Sequence, residues 1–321
     1  MVVRFVKNKL KRWINMFRHR ELLMCIAIIC VVFYHLALRG IPIGRLNIGY
    51  IGVDIFMLLS GYGIGKSLQH NSLSKFYKNR VRKIMPIWTL MISLSWSIYA
   101  IGGGKMCITH LVANLSTISF YFNPDLLPEW YLATLIMFYA LSPILYMILK
   151  KAGWFGVLGV CVAVVYISGV GQCIGAWQYA NAICRFPLYL LGMQCAIIGK
   201  ENLPYYITIP CFVIGSCFFF TGNHYLFSSY CVLLMVQILN LLIDKIDLPC
   251  LSCFKTIGRH TLEIYAANVL SAVLLASCFY TCIHPIIVIF IDLFLTAVLS
   301  FVLSKANKLI LSIWWKNTLD I

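Results

Sequence analysis

Acidic side chains are scarce in this chain, and so are charged side chains of either sign. Asp and Glu together number 10, and charged residues make up only 11% of the 321 residues, whereas hydrophobic residues make up 61%. Soluble globular domains carry about 25% charged residues. No polar stretch is long enough to form a second, soluble domain. The composition therefore excludes a soluble globular fold and predicts one integral membrane domain.

Metal-ligand and disulfide patterns are also missing from the sequence. Most of the 14 cysteines lie within apolar runs, where cysteine behaves as a small apolar residue. Cys250-Leu-Ser-Cys253 is a single C-x-x-C, and no second pair or histidine cluster accompanies it at metal spacing. We therefore expect no metal site, with a metal or redox role for this pair as the alternative.

Long apolar runs are what the sequence does contain, and they predict an all-α, polytopic membrane protein with about ten transmembrane helices. A bilayer-spanning helix needs about 20 mainly apolar residues. The predicted spans are 22–38, 49–66, 86–101, 127–149, 154–171, 183–199, 204–221, 225–243, 260–280 and 284–304. The more polar segment 107–122 is predicted to be an interfacial helix on the outer side. The domain boundaries follow: a basic arm at 1–21, the membrane domain at 22–305 and a tail at 306–321.

The basic residues set the predicted orientation. With a cytoplasmic N-terminus, all but four of the 26 Lys and Arg residues lie on the cytoplasmic side, the exceptions being Arg39, Arg45, Lys105 and Arg185. The positive-inside rule therefore predicts that both termini are cytoplasmic. Although the net charge is +16, the basic residues flank apolar runs and form no stripe with interleaved aromatics, which argues against nucleic-acid binding.

One histidine and one aspartate stand out because ionisable groups inside apolar spans are costly. His35 follows the apolar run 22–34, which puts it about 20 Å along a helix, near its outer end. A neutral imidazole there can act as a general base, or it can simply bond a carbonyl at the headgroup boundary. Asp54 lies about one and a half turns into the next span, which starts on the outer side, so it can lie at a similar depth. It can orient His35 through one ring nitrogen, or it can be an aspartate stabilised by the helix dipole.

Other polar residues are candidates for substrate binding. The basic segment 74–86, predicted to be a cytoplasmic loop, carries Arg80, Arg82 and Lys83, which can bind phosphates or can be ordinary cytoplasmic positive charge. Arg185 begins a span on the outer side and can hold a polar acceptor or act as a snorkelling anchor.

Two more acceptor candidates open the span 127–149. Glu129 can bind a sugar hydroxyl, and Trp130 can stack on a sugar or belong to the interfacial aromatic belt. The other polar side chains expected within the membrane domain are Ser60, Tyr139 and Asn268, and Asp292 in the last span has no assigned role.

Six segments in order resemble the integral membrane acyltransferase 3 family, and together they extend over most of the chain. They are Ile26-Ala-Ile-Ile-Cys-Val-Val-Phe-Tyr-His35, Gly52-Val-Asp54-Ile-Phe56-Met-Leu-Leu-Ser60-Gly61-Tyr62, Phe76-Tyr-Lys-Asn-Arg80-Val-Arg82-Lys83-Ile-Met-Pro86, Trp130-Tyr-Leu with Phe138-Tyr139 and Pro143, Arg185-Phe-Pro with Gly192, and Ile257-Gly258 with Leu262, Ile264 and Tyr265. Each motif is weak alone, and the ordered set is specific.

Some family positions are altered here. The family usually has an arginine eleven residues before its essential histidine, where this chain has Met24, with Arg20 one turn lower as a substitute. The second arginine of the family's R-x-x-R motif is Lys83, which keeps the charge but loses bidentate geometry. The histidine that often follows the last motif is Asn268, and the glutamate of some members is Leu135.

The resemblance implies an acyl-CoA-dependent O-acetyltransferase in a bacterial plasma (inner) membrane. Acyl-CoA, most often acetyl-CoA, is then the co-substrate, with its phosphates at Arg20, Arg80, Arg82 and Lys83, and no cofactor is permanently bound. His35 deprotonates an acceptor hydroxyl and Asp54 orients it, while direct transfer and a covalent intermediate both stay open. The acceptor is a cell-surface glycan or its lipid-linked precursor, met by Glu129, Trp130 and Arg185.

Two other functions fit the same residues. A proton-coupled transporter or flippase can use a His35–Asp54 pair, although no inverted repeat or pair of broken helices is evident in the sequence. An inactive relative kept as a scaffold is the third interpretation, since Met24 and Asn268 depart from the family pattern.

Overall fold

The structure is a computed structural model, and it describes residues 15–38, 49–104, 107–122, 130–173, 177–245, 251–278 and 284–316. Within these ranges the chain is helical and contains no strand, so the predicted all-α class is confirmed. The helices are α1 (Arg20–Leu38), α2 (Tyr50–His70), α3 (Leu73–Ile101), α4 (Ile108–Leu115), α5 (Ile118–Phe122), α6 (Trp130–Cys173), α7 (Trp177–Ile183), α8 (Phe186–Ile197), α9 (Tyr205–Phe220), α10 (His224–Ile243), α11 (Leu251–Arg259), α12 (Thr261–Cys278) and α13 (Pro285–Lys316).

Several of these helices are suited to crossing a bilayer. In the described part of the chain, six are long and apolar enough: α1, α2, α3, α6, α10 and α13. Helices α9 and α12 contain shorter apolar stretches, Ile207–Phe220 and Thr261–Leu275. The protein is thus a multi-pass membrane protein, whereas the count of ten spans and the side of each terminus stay predictions.

Two predicted spans fall within the single helix α6. The spans 127–149 and 154–171 are separated only by Gly153, which has φ 56° and ψ −138° and interrupts the helix there. A positive φ is readily adopted by glycine because it has no Cβ. One glycine therefore takes the place of the loop that the sequence suggested.

The basic segment 74–86, which the sequence suggested was a loop, is helical. Helix α3 begins at Leu73, where the Ser72 hydroxyl accepts a hydrogen bond from the Lys75 amide, and it continues through Pro86. The loop interpretation was wrong because the charges concealed an apolar face. Phe76, Ile84 and residues further along α3 are buried at helical spacing, and the exposed face carries the basic residues.

The segment 107–122 forms two short helices, α4 and α5, where the sequence suggested one. They are separated at Thr117, which has φ 63°, a left-handed conformation that ends a helix. The predicted interfacial, outer-side location of this segment stays a prediction.

One compact unit contains residues 1–27, 50–70 and 142–259. Helix α2 packs against α8 and α10, and α9 packs against α10. The approach of α2 to α8 depends on glycine. A Cβ placed on Gly61 would lie 1.9 Å from the Tyr189 carbonyl oxygen, and one on Gly192 would lie 2.2 Å from the Leu58 carbonyl oxygen. The glycines of 61–65 thus provide the small residues that close packing of membrane helices requires.

We expect Gly61→Ala and Gly192→Ala to destabilise the protein, because each new methyl group would overlap backbone atoms that cannot move aside without separating the helices. Overpacking of this kind costs about 1–3 kcal/mol. Thermal unfolding in detergent measures the effect. The matched control is Gly159→Ala in α6, where a new Cβ meets nothing within 4 Å, so its melting temperature should not fall. Unchanged melting temperatures in the first two variants would contradict the packing.

The second compact unit contains residues 28–49, 71–141 and 260–321. Helices α3, α12 and α13 pack against one another, and α4 packs against α3. The Trp88 indole in α3 donates a hydrogen bond to the Leu115 carbonyl oxygen at the end of α4, at 2.9 Å. This three-helix arrangement carries polar side chains in its interior, and those side chains define the site described next.

Candidate functional site

His35 lies in the last turn of α1, where it is half-buried and hydrogen-bonded to α12. Its Nδ1 atom is 2.6 Å from Oδ1 of Asn268, a fully buried residue. The Tyr265 ring lies beside it, with ring centroids 6.2 Å apart. The imidazole is thus fixed at one nitrogen by a neutral side chain.

Asn268 belongs to a buried polar group formed with α13, which we call the Asn268 cluster: Asn268, Ser271, Asp292 and Thr296. The Asn268 Nδ2 atom donates to Asp292 Oδ2 and Thr296 Oγ1, both at 3.3 Å. The Ser271 hydroxyl donates to Asp292 Oδ1 at 2.6 Å. Asn268, Ser271 and Asp292 have no exposed surface and Thr296 is 5% exposed. The cluster therefore links His35 through one amide to a buried carboxylate.

The helical register explains how the cluster forms. Asn268 and Ser271 are three residues apart in α12, and Asp292 and Thr296 are four apart in α13, so each pair lies on one helix face. The sequence identified Asn268 and Asp292 as polar groups needing partners, but it did not identify Ser271 or Thr296. Polar residues at i, i+3 or i+4 within apolar runs were the available signal.

Aromatic side chains extend from this site toward the start of α6. The Tyr131 and Tyr265 rings pack edge to face with centroids 5.2 Å apart, and Trp130 packs edge to face on Tyr131 at 6.1 Å. Trp130 is half-buried, and its role in acceptor binding stays a prediction. Glu129, the other residue predicted there, lies outside the described residues.

Asp54 and Arg185 form a separate, fully buried ion pair. Arg185 Nε is 3.3 Å from Asp54 Oδ1, and neither side chain has exposed surface. The Ser229 hydroxyl donates to the same carboxylate oxygen at 3.0 Å. Arg185 Nη1 also donates to the Asn181 carbonyl and side-chain oxygens, at 2.7 and 3.2 Å. Asp54, predicted to orient His35, and Arg185, predicted to bind the acceptor, are therefore in direct contact.

The roles predicted for these two residues are not tested by their pairing. The partners of Asp54 include Arg185, Ser229 and Ser228, and His35 is hydrogen-bonded to Asn268. The orienting hydrogen bond from Asp54 to His35 stays a prediction, and so does acceptor binding by Arg185. No spacing rule linked Asp54 to Arg185, since they are far apart in sequence and lie on different helices.

The four predicted donor-binding residues differ in exposure. Arg80 in α3 is half-buried, and its guanidinium lies 5.8 Å from the centroids of both the Phe76 and Tyr139 rings. Among the described residues its buried Nε has no hydrogen-bond partner. Arg82 and Lys83 are exposed on the same helix. The Arg80 guanidinium thus lies close to two aromatic rings.

The remaining predicted positions lie on α1 and α2. Arg20 is exposed at the first residue of α1, and its guanidinium lies near Gly63 of α2. Met24, one turn further along α1, is half-buried, as is Ser60 on α2.

At the end of α11, Arg259 donates two hydrogen bonds to the Glu21 carboxylate, which raises the pKa of Arg259.

Comparison with known proteins gives one match. A family model described as an acyltransferase domain, of acyltransferase family 3, matches residues 21–305. No curated protein and no solved structure matches the chain.

Proposed function

The chain belongs to acyltransferase family 3 and is a multi-pass membrane acyltransferase, and we propose that it transfers an acetyl group from cytoplasmic acetyl-CoA to a hydroxyl group. The acceptor in this proposal is a cell-surface glycan or its lipid-linked precursor. The cell envelope of a bacterium, with the protein in the plasma (inner) membrane, is the proposed setting. The family membership supports an acyl donor and an acceptor. The acetyl group, acetyl-CoA as donor and the glycan as acceptor are our proposals.

The position of His35 is the observation that carries the proposal. The imidazole is half-buried at the end of an apolar helix and bonded at Nδ1 to Asn268. In the proposed reaction, His35 takes the proton of the acceptor hydroxyl while the acceptor oxygen attacks the thioester carbonyl carbon. The C–S bond then breaks, the acyl group stays on the acceptor oxygen, and the CoA thiolate takes the proton back from His35. General base catalysis of this kind is typically worth 10²–10⁴-fold.

Arg80 supports the donor half of the proposal. Its guanidinium is fixed between Phe76 and Tyr139, and such preorganised arginines bind phosphate groups well. Arg82 and Lys83 on the same helix add positive charge that the diphosphate of CoA would meet.

We expect Arg80→Gln to raise the KM for acetyl-CoA about tenfold or more and to leave kcat nearly unchanged. A hydrogen bond to a charged group contributes about 1.5–3 kcal/mol, and loss of substrate binding without loss of transition-state contacts acts on KM. Steady-state kinetics measure both constants. Lys75→Gln is the matched control, because Lys75 is exposed on the same helix and loses the same charge. Equal KM values in the two variants would argue against donor binding at Arg80.

The direct test uses the purified protein in liposomes made from lipids and lipid-linked sugars of its host cell. Acetyl-CoA labelled in the acetyl group is supplied, and alkali-labile label in the glycolipid fraction is measured. A new labelled ester supports the acyltransferase. Movement of a lipid-linked sugar across the bilayer without any new ester would instead support the transporter or flippase. Absence of label from the glycolipid fraction would contradict acetyl transfer to a glycan.

A further inference from the structure

We propose that Asn268 and Asp292 act as positioning residues that keep the proton of neutral His35 on Nδ1, so that Nε2 is the basic nitrogen. The catalytic meaning of this arrangement rests on the proposed function, in which His35 is the base. The arrangement itself can be tested in the absence of catalysis.

The orientation of the Asn268 amide follows from its partners. The Nδ2 atom of Asn268 has two acceptors on α13, Asp292 Oδ2 and Thr296 Oγ1, so the group that faces α13 is the NH₂ of Asn268. The observed contact is Nδ2 to Oδ2 at 3.3 Å. The second carboxylate oxygen is occupied by the Ser271 hydroxyl, which donates at 2.6 Å. The amide oxygen is therefore directed at His35.

The tautomer of His35 follows from the orientation of the amide. An amide oxygen cannot donate, so Nδ1 of His35 must carry the hydrogen in the 2.6 Å contact to Asn268 Oδ1. A neutral imidazole has one hydrogen on its two nitrogens, so Nε2 has the lone pair. Proton acceptance by Nε2 creates imidazolium, and the Nδ1 hydrogen bond to Asn268 then becomes charge-assisted.

A neutral amide in contact with His35 also has a specific electrostatic effect. A carboxylate bonded directly to the ring would favour imidazolium before the reaction begins, and a protonated ring cannot act as a base. Asn268 sets the tautomer without adding a charge, because the Asn268 amide lies between the His35 ring and the Asp292 carboxyl group. Asp292 thereby holds the amide in place and stabilises the positive charge through Asn268.

A purely structural role for the Asn268 cluster makes different predictions. Each polar atom there is buried, so loss of any partner destabilises the fold. A structural role would not change the tautomer of His35 or the pH dependence of kcat. The decisive measurements are therefore spectroscopic and pH-dependent.

The first experiment measures the tautomer in the wild-type protein. Protein labelled with ¹⁵N-histidine is studied by solid-state NMR in liposomes, and the His35 signals are assigned by their loss in His35→Gln. At a pH at which the His35 ring is neutral, we expect the hydrogen on Nδ1 and the lone pair on Nε2. Hydrogen on Nε2 overturns the proposal. This result needs no activity, so an absence of acyl transfer would contradict the proposed function and leave the tautomer assignment intact.

The second experiment exchanges the two polar groups. Asp292→Asn removes the acceptor that fixes the Asn268 amide, so we expect a mixed tautomer and a fall in kcat of about tenfold or more, with an unchanged KM for acetyl-CoA. Asn268→Asp places two carboxylates in contact and should also lower kcat.

The double variant N268D/D292N again presents an acceptor to His35 and a donor between the two residues, so kcat should recover at least tenfold over the weaker single variant.

The pH profile of the double variant distinguishes positioning from structure. A carboxylate directly on Nδ1 stabilises imidazolium, so the acidic limb of the kcat profile should move to higher pH by about one unit or more. The control Gln237→Leu removes another buried amide, one that bonds Thr208 and the Leu203 carbonyl, and it should lower stability without moving the limb. An unmoved limb in the double variant, or a wild-type tautomer and kcat in Asp292→Asn, overturns the proposal.

Discussion

His35→Ala is expected to lower the rate of acyl transfer by about 10²–10⁴-fold, the range that general acid–base groups contribute. The His35 imidazole is bonded to the Asn268 cluster through Nδ1. The loss should fall on kcat, because the base acts in the transition state and not in donor binding. Single-turnover measurements with labelled acetyl-CoA separate the chemical step from product release.

Stability has to be followed in the same variant. Removal of the imidazole leaves the buried Asn268 oxygen without its donor, which costs about 1–3 kcal/mol. His35→Gln is the companion variant, because its amide can donate to Asn268 yet cannot serve as a base. Exposed His110 provides the matched control, and His110→Ala should retain wild-type activity. Full turnover in folded His35→Ala or His35→Gln would remove His35 from the reaction.

Arg185→Met is expected to destabilise the protein by about 3–5 kcal/mol, because it leaves the Asp54 carboxylate buried without a countercharge. Both side chains are fully buried and 3.3 Å apart, so solvent cannot replace the lost partner. Asp54→Asn should also lower stability, because it removes the carboxylate charge that pairs with the buried Arg185 guanidinium. Unfolding in detergent with increasing denaturant measures the change.

The double variant Asp54→Asn with Arg185→Met tests whether the two charges act as a pair. If they do, its stability loss should be clearly smaller than the sum of the single losses, since neither charge remains buried alone. Acceptor binding by Arg185 predicts a different outcome: Arg185→Met would keep wild-type stability and would raise the KM for the acceptor. If the stability loss of the double variant equals the sum of the two single losses, Asp54 and Arg185 do not stabilise each other.

Apolar patterning predicted most of the helices, because a bilayer-spanning segment must be long, apolar and internally hydrogen-bonded. The ends of α2, α9 and α10 fall within a few residues of the predicted spans. Helix α3 was the main error, since its basic residues were counted as loop charge although Phe76 and Ile84 mark a buried face. The kink at Gly153, with helix on both sides of it, was also not evident from composition.

The site was predictable as a set of residues but not as a set of contacts. Sequence position gives the approximate depth of His35 or Asp54 along a helix, and the family motifs identify both residues. It does not give the direction in which each helix faces, and so the bonds from His35 to Asn268 and from Asp54 to Arg185 were not foreseen. Those bonds depend on the packing of helices that are distant in sequence.

The continuous helix of α3 has a thermodynamic consequence for any anion that the basic segment binds. A flexible loop must be ordered on binding, at about 1–2 kcal/mol for each residue whose backbone becomes fixed. Residues 74–86 are already fixed by the helix, so that entropy is lost during folding and not during binding. Helix-disrupting changes on its exposed face that leave the charges in place, such as Val81→Gly, would restore this cost and weaken anion affinity without removing any residue proposed to contact the ligand.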